Sequence, residues 1–452
     1  MKKFLTVILV ITLALSMTLT ACGSRSRPSE GQNIGEKLLS SDSSSTTTKA
    51  PPLTETTREE ESNQVSFQEF DIKTLFHLDF DESIERVFTF HEGMAAIYYY
   101  DPDNPYGLVW YYVGYIDTNG SLVIPMEIPY SNHEIYEDGI PNFSEGLVRA
   151  NAFLDFPFDF SYGFYDKTGD LVIPFQFAYI NDFSEGLAPV AFYDETSGEY
   201  TWSIINTSGE VVIETDYTYI GRFSDGLAVF GISDGTRYGS KYGYIDTSGN
   251  VVIPPVYNHA RDFSDGLAAV TEGHWSESEW GYINISGELI VPYGYNSAWD
   301  FTDGIAAVSM GDDTFGFIDK EGNAITPLDF DIDLNGRFFG PDFTPPALYN
   351  GLVALITGDW EDSTLNYYNS SGELVHSFDE YDFGRGFSEG VAAVRCRDTK
   401  LWGYIDMAGN LIVPLEYIYA GDFSEGLAAA ATGEGDLEAL SWSLLELSVK
   451  AS

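Results

Sequence analysis

Tyr242-Gly243-Tyr244-Ile245-Asp246-Thr247-Ser248-Gly249-Asn250-Val251-Val252-Ile253-Pro254, introduced by Phe223-Ser224-Asp225-Gly226-Leu227, is the stretch that decides the fold. Two β-branched and aromatic runs flank an Asp followed three residues later by Gly. The carboxylate can accept from turn N–H groups and the Gly can supply a positive φ, so the pattern predicts a hairpin. The same phrases recur along the chain. Phe-Ser-Glu/Asp-Gly followed by Leu or Val stands at Phe143, Phe183, Phe223, Phe263, Phe387 and Phe423, with looser copies at Phe90, Phe301 and Tyr349. Their glycines (Gly93, Gly146, Gly186, Gly226, Gly266, Gly304, Gly351, Gly390 and Gly426) are spaced by about 40 residues, a repeat period. The second phrase returns as Trp280-Gly281-Tyr282-Ile283-Asn284 and Trp402-Gly403-Tyr404-Ile405-Asp406, with relatives at Val113, Tyr162, Trp202, Phe315 and Leu365. The third returns as Leu411-Ile412-Val413-Pro414.

Each unit therefore offers three short strands with turn residues between them, and helical periodicity is absent. The Pro at the end of the third strand removes a ladder donor and is expected to stop pairing there. One such meander cannot cover its own apolar face, so neighbouring units must stack and bury a continuous core. The ends of the array are complementary: Phe67 to Val87 reads as the tail of a unit without its start, and Phe423 to Leu447 as the head of a unit without its end. Such halves can close a propeller ring or cap an open superhelix. Units with only three evident strands fall short of a four-stranded blade. The expectation is an all-β tandem repeat of about nine three-stranded meander units stacked as an open solenoid-like array, with a closed propeller-like ring as the alternative.

The Trp-Gly-Tyr-Ile-Asp-x-x-Gly-x-x-Val-Ile-Pro phrase, with Phe-Ser-Glu-Gly-Leu-Ala before it, resembles the bacterial WG-repeat (KWG-repeat) family over about Phe80 to Trp442. The resemblance implies a secreted or surface scaffold rather than a reaction. The chain departs from the pattern at Trp202-Ser203 and Leu365-Asn366, where the Trp-Gly pair is replaced, and at Glu214 and Ser377, which stand where Pro is expected. Those units are expected to pack less regularly.

The first residues read as an address. Met1-Lys2-Lys3 precedes the uncharged run Phe4 to Thr20, too short for a comfortable membrane span, and Leu19-Thr20-Ala21-Cys22 resembles a lipobox. Residues 1–21 are thus expected to be a lipoprotein signal peptide, with Cys22 lipidated and the protein held in the bacterial cell envelope, outside the cytoplasm. Residues 22–66 include Ser43-Ser44-Ser45-Thr46-Thr47-Thr48 and no aromatic, which predicts a disordered tether before a β domain at 67–452. Composition narrows the partners. The chain has 452 residues, with 70 acidic and 22 basic side chains and a formal charge of −48, so it repels polyphosphate and is not expected to bind nucleic acid. Its 31 Phe, 30 Tyr and 8 Trp supply the apolar surface to order a folded body.

Catalytic signals are sparse. Gly231-Ile232-Ser233-Asp234-Gly235 satisfies a nucleophile-elbow pattern, but no helix follows it. The six histidines are scattered without the close pairing of a zinc site, and Cys396 alternates with Ala392 and Val394 as a buried thiol would. The carboxylates Asp117, Asp166, Asp246, Asp319 and Asp406 recur with the fold's own period and read as turn-formers, not as a catalytic row. One loop breaks the repeat: Asp331, Asp333, Asn335 and Asp342, with Gly336 between, have the spacing of an EF-hand-type calcium loop. Extra aromatics at Tyr98, Trp110, Tyr111 and Tyr112 fall outside the repeat and are candidates for a binding rim. The expected function is non-enzymatic recognition of wall glycan, extracellular polymer or a surface protein, with possible calcium and no other cofactor; the alternatives are a structural spacer and a surface hydrolase.

Overall fold

The computed structural model describes residues 70–449 apart from 79–83, 101–109, 132–139, 156–158, 195, 197, 234, 237–238, 273–278, 312–313, 328–329, 332–350, 359–362 and 434–439. The leader, Cys22 and the tether lie outside the described residues. Nine small antiparallel sheets follow one another along the chain, and no α-helix occurs among the described residues. In blade 4 the strands Tyr219–Ile220, Leu227–Ser233, Ser240–Asp246 and Val251–Tyr257 are hydrogen-bonded in that order. The same plan builds blades 1 (86–131), 2 (147–177), 3 (179–214), 5 (259–295), 6 (297–331), 7 (352–378) and 8 (381–417), with three strands visible in blades 2 and 7 among the described residues.

Blade 9 is composite. Tyr419–Ala420, Leu427–Thr432 and Ser441–Val449 receive their fourth strand, Phe70–His77, from the other end of the domain. Phe70 pairs with Val449, Ile72 with Leu447 and His77 with Ser443. The complementary ends therefore close a ring, and the architecture is a nine-bladed β-propeller, not the open array. The strand that escaped the sequence reading is the first one in each blade, only two residues long in most blades, which carries too little pattern to be seen.

Closure can be followed core by core. Each junction between successive blades has its own hydrophobic cluster. Leu227 and Val229 meet Phe263, Ala268 and Val270 across the blade 4–5 junction, while Ala228 and Phe230 face Trp202 and Ile204 of blade 3. The ninth cluster joins Leu427, Ala429 and Trp442 of blade 9 to Val87, Phe90 and Ile97 of blade 1. A strand with a blade on either side buries both its faces, which is why Gly-Leu-Ala-Ala-Val is apolar without alternation.

The repeated phrases are the joints. Ser-Glu/Asp-Gly-Leu forms a two-residue type I′ turn: Glu145 sits at φ 54° and Gly146 at φ 81°, and Ser144 and Leu147 exchange both backbone hydrogen bonds. A Glu in this conformation is strained. Its carboxylate is tied in place by the next blade, where Gly186 N–H donates to Glu145. Equivalent bonds run from Gly226 to Glu185, Gly266 to Asp225, Gly304 to Asp265 and Gly426 to Glu389. Gly93 to Glu425 carries the same bond across the closure. Glu92, which accepts from both Glu145 and Gly146, also meets Lys167 at 2.8 Å. Burial raises its pKa, but the Lys167 bond and the two N–H donors outweigh that and leave the carboxyl below its ordinary value. The serine hydroxyl donates to the next blade's phenylalanine carbonyl, as from Ser264 to Phe301, and from Ser424 to Phe90 across the closure. The tyrosine of Trp-Gly-Tyr does likewise, Tyr244 to the Arg261 carbonyl and Tyr282 to that of Trp299, each at 2.8 Å.

The Trp-Gly and Ile-Pro pairs belong to one device. In blade 5, Trp280 pairs with Tyr295 and Tyr282 with Val291, so the outer strand spends two more residues than its partner and bulges over Gly281. A Cβ on Gly281 would lie 2.8 Å from the Val291 carbonyl oxygen. Pairing thus does not stop at the Pro: it bulges and resumes. Where Ser203 and Asn366 replace that glycine and Glu214 and Ser377 replace the proline, the outer strand continues in register, Ser203 opposite Glu214 and Asn366 opposite Ser377. Those two blades pair more regularly than their neighbours at this point, contrary to the sequence expectation, because without the bulge neither a glycine nor a missing donor is needed.

Candidate functional site

Antiparallel order sends the Ser-Glu-Gly and Asp-x-x-Gly turns of every blade to one end of the ring, the turn face, and the loops between second and third strands to the other, the loop face. The turn face is occupied by joints. Asp246 Oδ1 accepts from the N–H groups of Ser248 and Asn250 at 2.9 and 2.8 Å, and Asp117, Asp166, Asp319 and Asp406 repeat the arrangement. These five are turn-formers, as the sequence indicated.

The loop face carries the side chains that the joints leave over. Aromatic rings run across blades 3, 4 and 5. Tyr193 and Tyr179 contact Tyr200 at 5.2 and 5.0 Å between centroids. Trp202 then meets Tyr219 at 5.6 Å, Tyr219 meets Tyr242 at 6.3 Å, Tyr242 meets His259 at 6.4 Å and His259 meets Trp280 at 6.2 Å. The register fixes their level: Tyr219 lies opposite Gly231, and Gly231 opposite Tyr242, next to the loop end of the blade. Four of the rings are open to water, Tyr179 by 48%, Tyr193 by 52%, Tyr200 by 45% and Tyr219 by 40%. The exposed rings, three in blade 3 and Tyr219 in blade 4, are a stacking surface, because aromatic side chains offer large rigid contact area at low entropic cost.

Next to the inner strands, around the ring, charges are brought together. Arg149 meets Asp182 at 3.0 Å and Arg385 meets Asp422 at 3.4 Å, each pair joining two blades. Asp262 and Asp300 face Arg222 and Arg261. Burial, reinforced by Asp300, pushes the Asp262 carboxyl up to about 6 against the pull of the two arginines. Its Oδ1 is buried without a hydrogen-bond partner and lies against Gly221, where a Cβ would stand 2.5 Å away. Burial also raises Asp300. Burial lowers His259.

The aromatics singled out in blade 1 also stand towards the loop face. Tyr98 meets Tyr111 edge-on at 5.1 Å and Tyr99 stacks on Tyr112 at 5.5 Å. They are half-buried, Tyr98 and Tyr111 against the blade 2 junction and Tyr99 and Tyr112 against that with blade 9. Trp110 opens the third strand of the blade. Of the calcium loop, Asp331 ends the strand Phe330–Asp331, while Asp333, Asn335 and Asp342 lie outside the described residues. Among the described residues no three His, Cys, Asp or Glu side chains cluster as metal ligands. Ser233 ends a strand and its Oγ accepts from Gly235 N–H, and Cys396 is buried.

The arc of blades 3 to 5 was missed because its members occupy repeat positions: Trp202, Tyr242 and Trp280 are the tryptophan position of the Trp-Gly phrase, and Tyr219 and His259 belong to the two-residue inner strands. The available signal was the pair Tyr193 and Tyr200, which lengthens the hairpin of blade 3 as the blade 1 aromatics lengthen theirs.

The WG containing repeat matches six times, at residues 162–192, 202–233, 242–273, 280–312, 367–399 and 402–434. The chain belongs to the WG-repeat family. Each WG match begins in the third strand of one blade and ends in, or up to three residues after, the second strand of the next, so the sequence unit spans a joint and not a blade. No curated protein matches. Among solved structures, the WG-repeat chain is similar to a crystal structure of the eukaryotic initiation factor, at 10% identity and a TM-score of 0.45, over 74% of this chain and 88% of that one. It is also similar to the β-propeller domain of the Trilobed protease from Pyrococcus furiosus, described as having open velcro topology, at 11% identity and a TM-score of 0.36, over 66% of this chain and 98% of that one. A third is the acylaminoacyl peptidase of Pyrococcus horikoshii, at 11% identity and a TM-score of 0.37, over 73% of this chain and 58% of that one.

Proposed function

We propose that this WG-repeat propeller is a non-catalytic scaffold that holds a wall glycan or extracellular polysaccharide against the loop face of blades 3 to 5, tethered to the bacterial envelope by lipid on Cys22. The single observation that carries the reading is the arc from Tyr179 to Trp280, whose rings present a stacking surface across three blades while the turn face is taken up by structural joints. Sugar rings have apolar faces that pack on such rings, and a series of them matches an extended polymer better than a single small ligand. A closed propeller that repeats its joints also suits a spacer, but a spacer has no use for four exposed tyrosines on neighbouring blades.

The test is binding of the full chain to chitohexaose and to purified wall and extracellular polysaccharides. Saturable binding that falls by about tenfold or more in Tyr200→Ala with Tyr219→Ala supports the reading. Wild-type protein that binds none of them leaves the spacer as the better account. The anchor is tested separately, by incorporation of labelled fatty acid that disappears in Cys22→Ala.

A further inference from the structure

Blade 3 supplies three of the four exposed rings of the arc, and it is built without a cation. Between Lys167 and Arg222, a span that contains the whole blade, the sequence has nine Asp and Glu and no Lys, Arg or His. The contrast with the far side of the ring is local: blade 8 carries Arg385, Arg395, Arg397 and Lys400 over a similar length.

Four of the nine carboxylates are used by the joints and turns. Asp170 accepts from the Thr168 hydroxyl, Asp182 pairs with Arg149 of blade 2, Glu185 accepts from Gly226 N–H and Glu210 from the Asn206 amide. The rest belong to the loop side, where Glu195 lies outside the described residues. Asp194 stands opposite Glu199 at the end of the hairpin, one step beyond the pair Tyr193 and Tyr200. Tyr179 of the inner strand meets Tyr200 from the other side, at 5.0 Å between centroids. Glu214 ends the outer strand and Asp216 follows it on the way into blade 4; both are exposed, and neither has an ion-pair partner among the described residues. Open tyrosine rings and carboxylates therefore share one end of one blade. The face of an aromatic ring is its negative side and attracts a cation, and unpaired carboxylates at its border add a field of the same sign.

We propose that the blade 3 end of the arc recognises the ammonium group of an amino sugar that carries no acetyl on its nitrogen, so that the glycan held on the loop face is an N-deacetylated aminoglycan. This rests on the glycan reading above and names the sugar. The sugar ring packs on a tyrosine face while its ammonium lies over a neighbouring ring or donates to a carboxylate. The formal charge of −48 draws such a polycation in, and the cation-free blade decides where it settles.

The experiment titrates chitohexaose and its fully N-deacetylated counterpart, hexaglucosamine, into the full chain at about pH 6, where amines and carboxylates are both charged. The deacetylated form is expected to bind at least about tenfold more tightly at low salt, and that preference to shrink at least about threefold when salt is raised to about 0.5 M. Glu199→Gln with Asp216→Asn reduces the preference at least about threefold and leaves chitohexaose affinity unchanged. Glu210→Gln with Glu288→Gln removes the same charge from two turns on the opposite face and leaves the preference intact, which separates a local site from net charge. Melting temperature is followed for every variant; should the Glu199 and Asp216 variant unfold, the two sugars on wild type at low and high salt still decide. Equal binding of the two sugars by wild type, or an equal loss of preference in both double variants, overturns the inference. Hexalysine bound as tightly as hexaglucosamine overturns it too, because the surface then selects charge and not an amino sugar. Chitohexaose binding that is lost with the Tyr200 and Tyr219 substitutions but comes with no amine preference sinks this inference alone, whereas binding of neither sugar sinks the glycan reading with it.

Discussion

The two faces of this propeller are made from the same repeat, yet they differ in what repetition does to them. On the turn face the described blades show nearly the same side chains, and most are used by the next blade: Glu145 by Gly186, Asp225 by Gly266, Glu425 by Gly93. On the loop face the corresponding positions diverge, Tyr219 in blade 4, His259 in blade 5, Phe383 in blade 8 and Arg86 in blade 1. Repetition marks what holds the ring together, and departure from it marks what is left for a ligand.

The comparison is broken if substitutions on the two sides have the same consequences. The largest stability effect is expected for Phe223→Ala in the blade 3–4 core, where loss of a wholly buried ring costs about 3–5 kcal/mol, read by denaturant unfolding, with glycan affinity unchanged while the protein remains folded. Next is Gly281→Ala, which drives a Cβ into the bulged outer strand and costs about 2 kcal/mol or more. Ser203→Gly, in a blade without the bulge, changes stability by only about 0.5–1 kcal/mol, the ordinary penalty of glycine in a strand. Equal costs for the two would remove the link between Trp-Gly and the bulge. Glu145→Ala cuts one exposed joint and costs about 1 kcal/mol after allowance for solvent screening, without affecting binding.

pH sharpens the contrast. Asp117, Asp166, Asp246 and Asp319 on the turn face have lowered pKa values. For Asp117 and Asp319 the turn hydrogen bonds outweigh the opposing effect of burial, while for Asp166 and Asp246 side-chain bonds from Thr168 and Asn250 lead. Their contribution is present above the unfolded carboxyl range and is lost as the pH falls below it, through the lowered values they have in the fold. Asp262 behaves in the opposite sense. With its carboxyl at about 6 in the fold and near 4 when unfolded, its protonated form favours the fold below about pH 4, and that advantage disappears as the pH rises through 6. Asp262→Asn is therefore expected to raise the melting temperature at pH 7 relative to wild type and to flatten its change between pH 4 and 6; an unchanged profile would contradict the placement of that carboxyl. The smallest stability change belongs to Tyr200→Ala, about 0.5 kcal/mol or less for an exposed ring, and it is the one expected to weaken glycan binding.

Much of the fold was legible because three phrases recur with intact chemistry: the Asp-x-x-Gly turns and Ser-Glu/Asp-Gly hairpins form as their residue types require. Ring closure was legible only as the alternative, from the complementary ends, because the fourth strand of each blade is Tyr219–Ile220 or a counterpart, two-residue strands below the length at which alternation can be read. The candidate arc was not legible: Tyr219 and Trp280 were hidden by conforming to the repeat, and the aromatics that interrupt it, Tyr98, Tyr111 and Tyr112, lie instead in blade 1, half-buried against its neighbours. Radial position and level in the blade, which sequence spacing does not encode, decide which rings face water.

The account turns on the loop face binding and the turn face holding. Titration of chitohexaose into the full chain and into a Tyr179→Ala, Tyr200→Ala, Tyr219→Ala triple variant, each with its melting temperature, tests this most directly. The account predicts saturable binding by the first, at least about tenfold weaker binding by the second, and melting temperatures within about 2 °C of each other. Equal affinity in the two proteins, or binding lost only together with the fold, would contradict it.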